Sequence, residues 1–139
     1  MPDSDPPPLP KYKEHPLPAD CPPLDGQPVG DCVVLRLVET NPPTADDFRS
    51  SKAECGQCPP GKDICRWHSC SVWVPEVKLE RIAGLRKFPK LRSKKFVAHV
   101  NVPANSGRIK PHDGDPQHLS FWMYETFFPE ASIKMVLTL

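Results

Sequence analysis

Apolar positions along this chain come in short runs punctuated by proline, and their period changes from run to run. Cys32-Val33-Val34-Leu35-Arg36-Leu37-Val38 is nearly continuous, β-branched and bounded by Gly30 and Asn41-Pro42-Pro43. This predicts a buried strand with one polar interruption, Arg36. Thr44-Ala45-Asp46-Asp47 follows with a hydroxyl for orphan amides and acids in the first turn, which predicts a short helix through about Ala53. Residues 55 to 70 hold four cysteines, two prolines and two glycines and read as an irregular loop. A strand resumes at Ser71-Val72-Trp73-Val74. Val77, Ile82, Leu85 and Phe88 then fall near helical spacing, predicting an amphipathic helix over 75 to 88 ended by Pro89. Phe96 to Val102 reads as a strand stopped by Pro103, residues 103 to 117 as a long loop, and Leu119 to Phe128 and Ile133 to Leu137 as further strands. The expected fold is α+β: one small domain with a mixed or antiparallel sheet of four or five strands and two helices.

Proline changes this picture at the N-terminus. Ten of the chain's 20 prolines lie in residues 1 to 28, where they remove backbone donors and hold φ in the polyproline region. Residues 1 to 30 are therefore expected to be a disordered or draped arm without helix or sheet, and residues 31 to 139 the domain, carrying the cysteine-rich loop 55 to 70. Pro7 and Pro10 stand at PxxP spacing beside Lys11, the pattern of a ligand for a proline-reading partner. The plainer alternative is a solvated tail. No basic and apolar leader pattern opens the chain, so a cytoplasmic protein with reduced thiols is expected. No run approaches the roughly 18 apolar residues of a membrane-spanning helix, so no membrane partner is expected.

The net charge of +1 is an average over unlike halves: residues 1 to 63 carry 6 basic and 11 acidic side chains, residues 64 to 139 carry 12 basic and 6 acidic. Lys78, Arg81, Arg86, Lys87, Lys90, Arg92, Lys94 and Lys95 form a basic segment in which Glu80 is the one acid. Such a segment suits a nucleic-acid backbone or an acidic protein partner, and Trp67, Trp73 and Trp122 would add stacking surfaces if exposed. A cationic face satisfied by solvent or by the acidic half of the chain is the competing reading.

Cys55-Gly56-Gln57-Cys58 has the C-x2-C spacing that turns two thiolates onto one metal, with Cys65, His68 and Cys70 following. These five would satisfy a tetrahedral zinc site, although no second C-x2-C pair is present. The alternatives are small buried or loop thiols, and a disulfide if the compartment is oxidising.

No P-loop, G-x-S-x-G elbow, H-E-x-x-H or G-x-G-x-x-G occurs. A scattered polar set remains on the predicted strands: Arg36, Ser69 or Ser71, His99, His118 and Glu125. In order, Val34-Leu35-Arg36, the helix opening at Thr44, Ser71-Val72-Trp73, a helix, Phe96-Val97-Ala98-His99-Val100 and His118-Leu119-Ser120-Phe121-Trp122 resemble small bacterial domains of the ADP-ribosyltransferase-like superfamily over about residues 32 to 137. The resemblance implies a toxin- or effector-type enzyme acting on a nicotinamide dinucleotide (NAD). Arg36 would help hold the dinucleotide, Ser71 (Ser69 less well) would support the nicotinamide ribose, and His118 or Glu125 would act on the ribose or the acceptor. Neither a Ser-Thr-Ser run nor a Glu-x-Glu pair is present. The other function class is a non-catalytic binding module with a zinc-held loop and the basic segment as its contact face.

Overall fold

The computed structural model describes residues 10 to 139. Its strands are β1 (Gln27–Pro28) and β2 (Cys32–Val38), then, after helices α1 (Ser51–Cys55) and α2 (Ile64–Trp67), β3 (Cys70–Trp73). Helix α3 (Leu79–Gly84) precedes β4 (Phe96–Val102), β5 (Gly107–His112), β6 (Asp115–Met123) and β7 (Ile133–Thr138). All seven strands form one sheet in the order β1-β5-β6-β3-β2-β4-β7, and every pairing is antiparallel.

This corrects the expectation of an α+β domain with four or five strands and two helices. The described residues are mostly β, with three α-helices of four to six residues among them. The added strands lie where proline and glycine had suggested irregular chain. β5 and the start of β6 occupy the stretch read as a loop, joined through Asp113-Gly114, with Gly114 at φ 75° and His112 opposite Asp115. Asp-Gly is a favoured two-residue hairpin connection. Val29 N–H donates to the Gly107 carbonyl at 3.1 Å, so Gly107 directs its backbone toward β1. Pro111 shares that parity, and its missing N–H falls on the outer side of β5, away from β6. β1 is the second addition. The arm drapes over the domain: Tyr12 bridges Tyr124, Lys13 N–H donates to the Met123 carbonyl at 2.9 Å, and Val29 is buried. Residues 1 to 9, with most of the PxxP motif, lie outside the described residues.

The helices are shorter than the periodicity suggests. Thr44 does open a helical segment, but it is a 3-10 turn over Ala45–Phe48, and α1 restarts after Ser50, whose hydroxyl caps Ala53 N–H at 3.1 Å. Over 75 to 88 the buried stripe is as expected at Val77 and Ile82, but only Leu79–Gly84 is α-helical.

Strand alternation divides the core. Val34, Val38, Cys70, Val72, Val100, Leu119, Phe121 and Met123 pack on one face with Phe48 and Phe127. On the other, Leu35, Leu37, Trp73 and Val97 pack under Val77 and Ile82 from the α3 region. Between β2 and β3 the sheet almost separates: β2 pairs with β4 along its whole length, but with β3 only at Leu35 and Trp73.

Candidate functional site

The gap between β2 and β3 is filled by Arg36. Its Nε donates to the Asp47 carbonyl at 2.7 Å and its Nη1 to the Ser71 carbonyl at 2.7 Å. Its Nη2 donates to the Arg49 carbonyl at 3.2 Å and to Glu54 Oε1 at 2.8 Å. The side chain is 7% exposed. A guanidinium carries five donors in a rigid fork, and four of those directions are occupied by the protein. Arg36 is therefore a wedge that replaces the missing β2–β3 ladder, and it leaves little donor capacity for a ligand. Glu54 also accepts from Lys94 Nζ at 2.9 Å, which accounts for the burial of this lysine.

Above the wedge opens a cleft of about 820 Å³. Ser71 and Trp73 line it from β3, Glu54 and Cys55 from α1, and Trp67 from α2, with Phe88, Lys90 and Leu91 forming a further wall. Arg49 also reaches it, and both Arg49 and Lys90 are exposed. The cleft thus combines aromatic walls, a hydroxyl, a carboxylate and exposed cations.

Beside the cleft, antiparallel register gathers a polar array on the same face of the sheet. Ser71 stands opposite Ser120, and Trp73 opposite His118. Ser71 Oγ is hydrogen-bonded to His118 Nε2. The His118 ring stacks on Trp73, 4.1 Å between centroids and 5° from parallel, and meets His112 at 3.8 Å on a 43° tilt. His112 Nε2 is hydrogen-bonded to Ser120 Oγ at 2.9 Å. Burial pushes the His118 imidazole down to about 4, with repulsion from His112, Arg66 and Arg81 adding and Asp115 opposing. His112 is lowered too, by burial and then by Arg66. Both rings are neutral at pH 7 and able to accept a proton. Arg81 lies over Trp73, 4.9 Å from the ring centroid, and pairs with Asp115, which its hydrogen bond holds below the usual carboxylate range.

Of the residues expected to act, Ser71 and His118 meet, and Arg36 stands beneath them. Glu125 is exposed beyond β6, its N–H bonded to the Lys11 carbonyl at 2.7 Å, and it lines neither this cleft nor a smaller cavity under Tyr12 to Glu14. Ser69 is buried, its hydroxyl donating to the Arg66 carbonyl at 2.6 Å, and His99 lies on β4 opposite Leu35. Among the cysteines, Cys65 is disulfide-bonded to Cys21, Cys70 is buried in the core with its thiol pushed up by that burial, and Cys55 and Cys58 are free. His68 is buried with Nδ1 3.2 Å from Glu14 Oε1. Among the described residues no group of three or more histidine, cysteine, aspartate or glutamate side chains is placed to hold a metal ion. In the basic segment, Lys94 is committed to Glu54 and Arg81 to Asp115. Trp73 and Trp122 are buried, and Trp67, less buried than either, lines the cleft together with Trp73. No described helix is long and apolar enough to cross a membrane.

Sequence reasoning missed Glu54, His112 and Ser120. The Asp113-Gly114 hairpin signal would have placed His112 beside β6, and His118 and Ser120, two apart on one strand, share a face. No protein-family model matches the chain, and no curated protein or solved structure is significantly similar to it.

Proposed function

We propose that this protein is an ADP-ribosyl-transferring enzyme that takes a nicotinamide dinucleotide into the cleft where β2 and β3 part. The observation that carries the reading is that Arg36 ties the Ser71 carbonyl and the Glu54 carboxylate to one guanidinium, at 2.7 and 2.8 Å, so that a hydroxyl backed by a neutral imidazole and a carboxylate share one wall. Departure of nicotinamide leaves oxocarbenium character at the ribose, which a carboxylate such as Glu54 stabilises. Ser71 holds a ribose hydroxyl, and His118 takes the proton of the acceptor as its oxygen bonds to the ribose carbon. Trp67 gives a planar ring to stack on, and exposed Arg49 and Lys90 supply charge for the pyrophosphate. Arg36 supports the wall.

The test is binding followed by turnover. A dinucleotide present at about 100 times its Kd adds about 2.7 kcal/mol to folding stability, a readily seen rise in Tm. Nicotinamide release, followed chromatographically, falls in Ser71→Ala and in His118→Gln. Absence of both the thermal shift and nicotinamide release at millimolar dinucleotide would refute the proposal.

A further inference from the structure

The Ser71–His118 contact supports a second activity that needs no dinucleotide. We propose that Ser71 is an activated nucleophile, with His118 as its base, and that the protein attacks phosphoesters at this position.

Geometry selects this serine over its neighbour. Ser71 and Ser120 face each other across β3 and β6, and each meets an imidazole Nε2. Ser120 is 3% exposed, whereas Ser71 is partly open and lines the cleft. A substrate reaches Ser71 alone. The His118 ring is clamped between Trp73 and His112, at 4.1 and 3.8 Å, so its Nε2 is aimed at the hydroxyl without conformational search. Ser120, through His112, is a positioning residue. A hydroxyl paired with a held, neutral imidazole is the arrangement in which a weak nucleophile is activated.

Charge selects the electrophile. The groups acting on the two imidazoles are Arg66 and Arg81 on the cationic side, with Asp63, Asp113 and Asp115 opposing. Arg81 is paired with Asp115, and Arg66 is exposed on α2. Exposed Arg49 and Lys90 line the cleft together with Ser71, and such cations favour a tetrahedral phosphoryl group, whose oxygens a guanidinium binds by two parallel hydrogen bonds. In the step, Ser71 Oγ bonds to phosphorus as the bond from phosphorus to the leaving oxygen breaks. The hydroxyl proton passes to His118 Nε2 and stays there, while the departing alkoxide, in line on the opposite side of phosphorus, takes its proton from solvent water. Water then attacks the phosphoserine by the reverse path, restoring Ser71.

A biotinylated fluorophosphonate tests the first step on the intact protein: Ser71 bonds to phosphorus, fluoride leaves, and the proton goes to His118. Peptide mass spectrometry is expected to find the label on Ser71. His118→Gln lowers the labelling rate by at least about 100-fold, the scale of a lost general base, while circular dichroism shows that it folds. The parent protein supplies a check independent of any variant. Because the His118 base loses its proton at about 4, labelling holds level from pH 5.5 to 8, whereas attack by a serine without a base climbs roughly tenfold per pH unit. Label spread over other serines, an equal rate in folded His118→Gln, or a tenfold rise per pH unit would each overturn the proposal. Labelling and nicotinamide release are measured separately, so either proposal can fail without the other.

Discussion

Replacing Arg36 by methionine keeps much of the volume of the wedge and removes its charge and donors. Four acceptors lose a partner: the carbonyls of Asp47, Ser71 and Arg49, and the Glu54 carboxylate. Truncating one member of a buried ion pair costs about 3–5 kcal/mol. Glu54 keeps Lys94 at 2.9 Å and is itself 19% exposed, which moves the ionic part toward the lower end, while each buried carbonyl left bare adds to it. A loss of about 3–4 kcal/mol results, a large share of the roughly 5–15 kcal/mol of a small domain. Urea titration of the parent, Arg36→Met, Glu54→Gln and the double variant, followed by circular dichroism, measures it. The double-mutant cycle should show a coupling above about 1 kcal/mol between the two sites. Arg36→Lys should recover only part of the loss, because an ammonium cannot reproduce the fork. A loss below about 1 kcal/mol, or additivity of the two single variants, would show that Arg36 is not a wedge and would return it to the role of ligand contact.

Other outcomes are equally definite. His118 is depressed to about 4 in the folded protein, so stability is constant above the unfolded value of about 6.5 and falls as pH drops from there toward 4. Down to pH 4.5 the fall is about 2.5 kcal/mol for a shielded ring and about 1.5–2 kcal/mol after allowing for its partial exposure. His99 and His112, both lowered mainly by burial, add in the same direction, and denaturant titrations of the parent and His118→Gln at several pH values separate their parts. Gly107→Ala places a methyl group against the Trp122 carbonyl and the Phe121 ring at a backbone φ of 153°, and should cost about 2–3 kcal/mol in the same titration. Reducing Cys21–Cys65 releases a link between residues 44 apart in sequence, and by chain entropy lowers stability by up to about 4 kcal/mol. Melting the Cys21→Ser/Cys65→Ser variant, with or without reductant, checks this value.

Strands with their own β-branched runs were legible from the chain alone. Cys32–Val38 and Phe96–Val102 have the expected bounds, because seven consecutive residues there carry the whole signal and no competing breaker interrupts them. The start of a helical segment at Thr44 was legible for the same local reason: the Asp47 carboxylate takes the Thr44 N–H at 2.9 Å within one turn. Burial pushes Asp47 up, but hydrogen bonds from Thr40, Thr44 and Glu39 outweigh it and hold the carboxyl below its ordinary value. β1 and β5 were not legible as strands. Pro28 and Pro111 argue against a strand unless the residue is known to turn its missing N–H to an outer side, and that is a property of the assembled sheet.

The candidate site divides in the same way. Arg36, Ser71 and His118 stand out in the sequence as polar residues in apolar strands, because a polar side chain in such a run needs a reason. What each does depends on partners far away in the chain: Glu54 and the Ser71 carbonyl for Arg36, and His118 for Ser71, 47 residues on. Residue type and local period determined which side chains are polar and which strands carry them. Only the packed sheet decided that Arg36 fills a gap between strands, that His112 joins the array, and that Cys65 bonds to Cys21, since register and strand order are set by burying both apolar faces at once.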